Sequence, residues 1–301
     1  MSLLAGVTES AAQPESVAAK KDAPKAKASL ICDQTALAPG ATATIAITWE
    51  LQPTWHMYWP GRNDTGEAAS IEFELPKGFK ADALQWPAPE RHVESDLLSH
   101  VYFNRLTVLA PLHVPANAEP GSSVTLKAKL SWMICSETCL PEQAIVKLKI
   151  PIASSGEKPG RSAEAKHIEA ARKRVPRELD KRSKDVRVSW LDRAIRIEVL
   201  AATHLSFYPD EVCVPFSHPI ADADTDRSTM TLRLGDPEQG HTALAGILEI
   251  RRGKEEREWV HIHSEPGSAL SPGLPTYPTD LPPISPAGPT LPPKPEPKPI
   301  P

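Results

Sequence analysis

Hydrophobic and polar residues alternate with period two along much of this chain. The alternation is clear at residues 41–49, 71–75, 124–130 and 144–150. Pro39-Gly40, Pro76-Lys77-Gly78 and Pro120-Gly121 punctuate these runs. Half-buried strands separated by such turns predict an antiparallel sandwich over residues 28–153. The same period returns at 186–190, 194–200, 230–234 and 259–263, so a second, smaller β-domain is expected over 185–265. Between them the spacing changes. Ala163, Ile168, Ala171 and Val175 recur at helical intervals within residues 162–175, and Pro176 ends the pattern. Ten basic and five acidic residues lie between Arg161 and Arg187, which predicts a solvated helical linker over 154–184 rather than a binding patch.

Composition narrows the function. A chain of 301 residues with 40% hydrophobic content is long enough for two cores. Net charge is -4 and the pI near 6.2, which argues against a nucleic-acid surface. No run of 18 apolar residues is present, so no transmembrane segment is expected.

The two ends have their own character. Leu3-Leu4-Ala5-Gly6-Val7 and Ala11-Ala12-Gln13 read either as the remnant of a signal peptide or as a plain leader within residues 1–27, and residues 8–27 are expected to be disordered either way. Residues 266–301 hold 14 prolines and favour extended polyproline II, as a disordered spacer rather than a sheet element or a PxxP ligand.

The chemistry concentrates in two cysteines. Cys135 and Cys139, with three residues between them, lie at the end of a strand-like run, and the chain has only two others, Cys32 and Cys213. A pair at this spacing can be a staple, a soft metal site or a redox couple. A ring this small can leave the bond strained and easily reduced. Glu137 and Glu142 would raise the pKa of a nearby thiol, and free backbone N–H groups in the turn would lower it, so the attacking cysteine is not readable. Cys32 and Cys213 fall in separate predicted domains and read as buried free thiols.

Three motifs in order carry a resemblance. Trp55-His56-Met57-Tyr58-Trp59-Pro60-Gly61-Arg62-Asn63-Asp64-Thr65-Gly66 is similar to the WHTYW…PGDSG signature of the N-terminal region of DsbD/ScsB-type thiol:disulfide interchange proteins. Leu84-Gln85-Trp86-Pro87-Ala88-Pro89-Glu90-Arg91 resembles their QWPxPxR turn. Trp132 through Cys135, Cys139, Pro141 and Glu142 resembles their WLxCxxxCxPE segment. The second region resembles the family more weakly, at 205–210 and 244–250. The resemblance implies an all-β chain of two immunoglobulin-like β-sandwich modules in the bacterial periplasm. It implies Cys135 and Cys139 as the exchanging pair of a protein-disulfide reductase component. Its partners would be a membrane-embedded thiol electron donor and oxidised periplasmic thiol proteins, in settings such as cytochrome c biogenesis or copper tolerance. Family members commonly continue into a multi-helix membrane domain and a thioredoxin-like domain. This sequence runs into the proline segment instead, so a separate donor protein is expected.

Around the pair, Trp55, Tyr58, Trp59, Trp86, Tyr102, Phe103 and Trp132 read first as core. Tyr58 and Trp59 are adjacent, so on a strand they face opposite ways, and one of them is a candidate shield over the disulfide. Trp55, Tyr102, Trp132, Pro141 and Glu142 are candidate supports. Gly61, Asp64 and Gly66 read as turn formers. Neither cofactor nor metal is expected. His261 and His263 share a strand face, but two ligands do not close a zinc site, and they read as paired surface histidines. Cys135 and Cys139 with Met133 or Met57 would make a chemically reasonable Cu(I) site, so copper handling is the rival to exchange, beside an accessory module with a bracing disulfide. Gly-x-Ser-x-Gly, Gly-x-Gly-x-x-Gly and Gly-Lys-Ser/Thr motifs are missing.

Overall fold

The computed structural model describes residues 23–179, 184–253 and 256–267. The expected leader, for residues 1–22, and the proline segment, for residues 268–301, lie outside the described residues. The first ten strands are β1 (Ala26–Cys32), β2 (Thr42–Leu51), β3 (His56–Tyr58), β4 (Ser70–Glu74), β5 (Lys80–Ala81), β6 (Glu90–Glu94), β7 (Leu97–Phe103), β8 (Arg105–His113), β9 (Ser123–Cys135) and β10 (Cys139–Pro151). They form a four-stranded sheet in the order β1-β2-β8-β5 and a six-stranded sheet in the order β10-β9-β3-β7-β6, with β4 also paired to β9. The two sheets enclose one core, and the fold is immunoglobulin-like and all-β.

Alternation builds that core. Ile45, Ile47 and Trp49 of β2 face Leu126, Ala128, Leu130, Trp132 and Ile134 of β9 in a single buried cluster. Trp49 and Trp132 meet edge to face with ring centroids 5.9 Å apart. The intervening residues of β9, from Thr125 to Met133 and Cys135, therefore lie on the opposite, outer face of the six-stranded sheet.

The chain then forms α1 (Ala165–Arg172), β11 (Arg177–Glu178), β12 (Val186–Trp190), β13 (Ala194–Val199), β14 (His204–Pro209), α2 (Pro219–Asp222), β15 (Asp224–Thr225), β16 (Thr229–Arg233), β17 (Leu244–Arg252) and β18 (Glu256–Ser264). A five-stranded sheet, β11-β18-β17-β14-β15, faces a three-stranded one, β12-β13-β16, across a second core. The helix α1 is not solvated on all sides. Ile168 and Ala171 pack on Ile31, Ala46 and Leu109, the outer face of the four-stranded sheet. Its charged residues occupy the other side, so composition alone concealed the docking stripe.

The two halves touch. Tyr208 of β14 and Ile247 of β17 belong to the first core cluster. The Arg62 amide donates to the Pro209 carbonyl at 2.9 Å, and its guanidinium meets the Glu238 carboxylate at 2.8 Å. No described helix is long and apolar enough to cross a membrane.

Candidate functional site

Cys135 ends β9 and Cys139 begins β10, so the antiparallel register sets them directly opposite each other across a three-residue turn. They form a disulfide with the sulfurs 2.02 Å apart. Cys135 is 2% exposed, whereas Cys139 is only half-buried. On an outer sheet face such burial needs cover. Tyr58, Val101 and Met133 supply it in a satellite apolar cluster that also takes in Phe103 and Cys139.

Neighbouring strands place that cover. His56 of β3 pairs with Cys135 of β9 on one side and Phe103 of β7 on the other. Tyr58, two residues on, therefore projects to the same face as Cys135. The Tyr58 hydroxyl lies 3.9 Å from Cys139 Sγ and 3.3 Å from His56 Nε2. The His56 ring packs against His92 at 5.1 Å and against Phe103 at 5.5 Å between centroids. Burial, aided by the nearby His92, lowers the His56 pKa from 6.5 to about 4, so this imidazole is neutral at neutral pH. Burial also raises the Tyr58 pKa, keeping its hydroxyl protonated.

Of the adjacent pair, Tyr58 is the residue against the disulfide. Trp59 points into the core with its ring against His100 at 6.0 Å. Tyr102 and Trp132 are also core, and the Tyr102 hydroxyl donates to the Pro87 carbonyl at 2.6 Å. Trp55 packs at the core edge with Lys25 Nζ 5.5 Å from its ring centroid. Pro141 pairs with Met133 on the hairpin. The Glu142 carboxylate accepts from the backbone N–H of Lys25 at 2.6 Å and of Ala26 at 3.3 Å, so it anchors the start of β1. Met57 faces the core while Met133 faces the disulfide, which separates the two methionines weighed together on the sequence.

Neither His56 nor His92 stands out as a site residue in the sequence alone. The signal for His56 was present: it stands two residues before Tyr58 in an alternating run and so shares its face. His92 comes from β6, two strands away across β7. Cys32 and Cys213 are free and buried, and burial pushes their thiols up to about 11 and about 12. His261 is not a surface residue. It is buried, with Nε2 2.6 Å from Asp210 Oδ2.

The site is thus a half-exposed disulfide at a hairpin end, one sulfur shielded by an aromatic layer, on an immunoglobulin-like sandwich. Residues 27–151 match the family model described as "Thiol:disulfide interchange protein DsbD, N-terminal", and the chain carries a DsbD/ScsB-type N-terminal domain. The N-terminal periplasmic domain of ScsB from Proteus mirabilis aligns with 82% of this chain and 96% of its own length, at 14% identity and a TM-score of 0.54, a likeness of fold. The reduced DsbD N-terminal domain of Neisseria meningitidis aligns with 44% of this chain and 90% of its own, at 13% identity and a TM-score of 0.25. Among curated proteins none matches the chain.

Proposed function

We propose that this protein is a periplasmic thiol:disulfide exchange module in which Cys135 and Cys139 alternate between dithiol and disulfide. A membrane-embedded thiol protein supplies the electrons, and oxidised periplasmic proteins receive them. The observation that carries this reading is the asymmetry of exposure within the pair: Cys135 is sealed, and Cys139 is within reach of a second protein's sulfur. The family match over residues 27–151 supports it.

The steps follow from that asymmetry. In the reduced module the Cys139 thiolate attacks one sulfur of the acceptor's disulfide. A bond forms between the chains, and the acceptor's other sulfur leaves as a thiolate that takes a proton from solvent. Cys135 then attacks Cys139 Sγ, restores the internal disulfide and releases the second acceptor thiolate. Two electrons pass to the acceptor. Recharging runs the same exchange backwards, with the donor's thiolate attacking Cys139 Sγ and Cys135 leaving.

Trapping tests the reading. A Cys135→Ala variant keeps the reachable sulfur and lacks the resolving one, so it should hold mixed disulfides when mixed with an oxidised periplasmic extract. Cys139→Ala should hold none. Equal silence from both variants would return the pair to a bracing role.

A further inference from the structure

Tyr58 and His56 form a short chain that ends on the sulfur. Cys139 Sγ, being disulfide-bonded, carries no hydrogen and can only accept. Tyr58 has one hydroxyl hydrogen, and at 3.9 Å from Sγ that hydrogen is the only one available for the contact. The Tyr58 oxygen is then free to accept from the Thr65 hydroxyl and from His56 Nε2 at 3.3 Å, the latter requiring the Nε2–H tautomer of a neutral ring. The surroundings favour this state. His56 is 5% exposed, with Phe103 and His92 against its ring. The titratable groups facing this chain are His92 and Glu94 from β6.

We infer that Tyr58 stabilises the Cys139 thiolate by donating its hydroxyl hydrogen to Sγ, and that His56 is a positioning residue that holds the hydroxyl in that direction. The inference deepens the exchange reading above and rests on it. Cys139 is a thiolate when it attacks the acceptor's disulfide and again when the donor's second thiol displaces it. The same hydrogen bond serves both steps, and no proton leaves Tyr58 in either. A hydrogen bond to a charged acceptor is stronger than one to a neutral acceptor, so the contact tightens when the charge forms. This sets Tyr58 apart from a lid, which would only slow access.

The test uses the full chain carrying Cys135→Ala, with the rate of iodoacetamide alkylation of Cys139 followed by mass spectrometry from pH 5 to 10. Tyr58→Phe keeps the ring and removes the donor. It should slow alkylation at pH 7 by about tenfold and raise the midpoint of the pH profile by about one unit. His56→Leu should move the midpoint in the same direction. His56→Gln, whose side-chain amide still donates, should restore most of it. Faster alkylation in Tyr58→Phe, or unchanged midpoints in all three variants, would overturn the inference and leave Tyr58 as a cover. If Tyr58→Phe does not fold, the contrast between His56→Gln and His56→Leu decides alone. Mixed-disulfide formation with oxidised glutathione is read in the same samples. Mixed disulfide with an unmoved pH profile removes the role of Tyr58 and keeps exchange; a moved profile without mixed disulfide does the reverse.

Discussion

His56 and His100 lie on adjacent strands and face opposite sides of the six-stranded sheet, one toward the disulfide and one toward the junction of the two halves. Both are buried and both are held neutral. Burial lowers each pKa from 6.5 to about 4, against the raising effect of the Arg62 carbonyl on His100. Unfolding releases both rings to water, where they bind protons near 6.5. The unfolded chain therefore binds more protons than the native one between about pH 6.5 and 4, and stability falls as pH falls through that window. The thermal midpoint should drop between pH 7 and pH 5, before carboxylates held low by ion pairs, such as Asp222 and Glu74, take up protons. His100→Gln removes one of the two proton-binding sites and should flatten the slope. An identical slope in the variant would assign the pH dependence elsewhere.

At the scale of elements, the loop between β3 and β4 holds Tyr58 from behind. Gly66 has φ +79°, and a Cβ there would sit 2.1 Å from Cζ of the Tyr58 ring. Gly66→Ala should therefore lower stability by about 2 kcal/mol and displace Tyr58. Thermal unfolding measures the first effect, and faster reduction of the disulfide by dithiothreitol measures the second. Unchanged stability would mean the loop has room to move. The hairpin makes a second prediction. Glu142→Ala leaves the amides of Lys25 and Ala26 without their acceptor and should cost about 1 kcal/mol, with faster hydrogen exchange at both amides. Exchange unchanged at those two sites would sever the link between β1 and β10.

These elements also explain what could be read in advance. The alternation at 124–130 and 144–150 was plain because one face of β9 and β10 there meets water through Lys127, Lys129, Lys147 and Lys149. From Trp132 to Cys135 the pattern vanished, since Met133 and Cys135 are covered on the outer face as thoroughly as Trp132 and Ile134 on the inner. The strands β7 and β8 show no alternation for the same reason, being buried on both sides. The cysteine pair was legible from spacing and motif, and Tyr58 only as one of two adjacent candidates with Trp59. The histidines beside them were not, because the contact between His56 and His92 exists only after β3, β7 and β6 assemble.

Across the whole molecule, the second half is packed against the first and does not merely follow it. Tyr208 reaches the first core, and its hydroxyl donates to the buried Glu249 carboxylate at 2.8 Å. Burial alone would raise the Glu249 pKa, but Arg257, Arg251 and Tyr208 outweigh it and keep the group charged. Tyr208→Ala removes a core side chain and one partner of a buried charge, so it should cost about 3 kcal/mol or more in denaturant unfolding and split one transition into two. A loss below about 1 kcal/mol with a single transition would show that the halves are coupled by other contacts.

The central claim is that the bond between Cys135 and Cys139 is made to be exchanged. A ring closed by three intervening residues gains about 2 kcal/mol or less from restricting the unfolded chain, too little to explain the pair as a brace. The most direct measurement is an equilibrium titration of the wild-type pair against glutathione buffers, read by alkylation and mass. A midpoint well above about -300 mV, with Cys139 the first sulfur to form a glutathione adduct, is the predicted result. A bond that stays closed throughout the glutathione range would contradict the account.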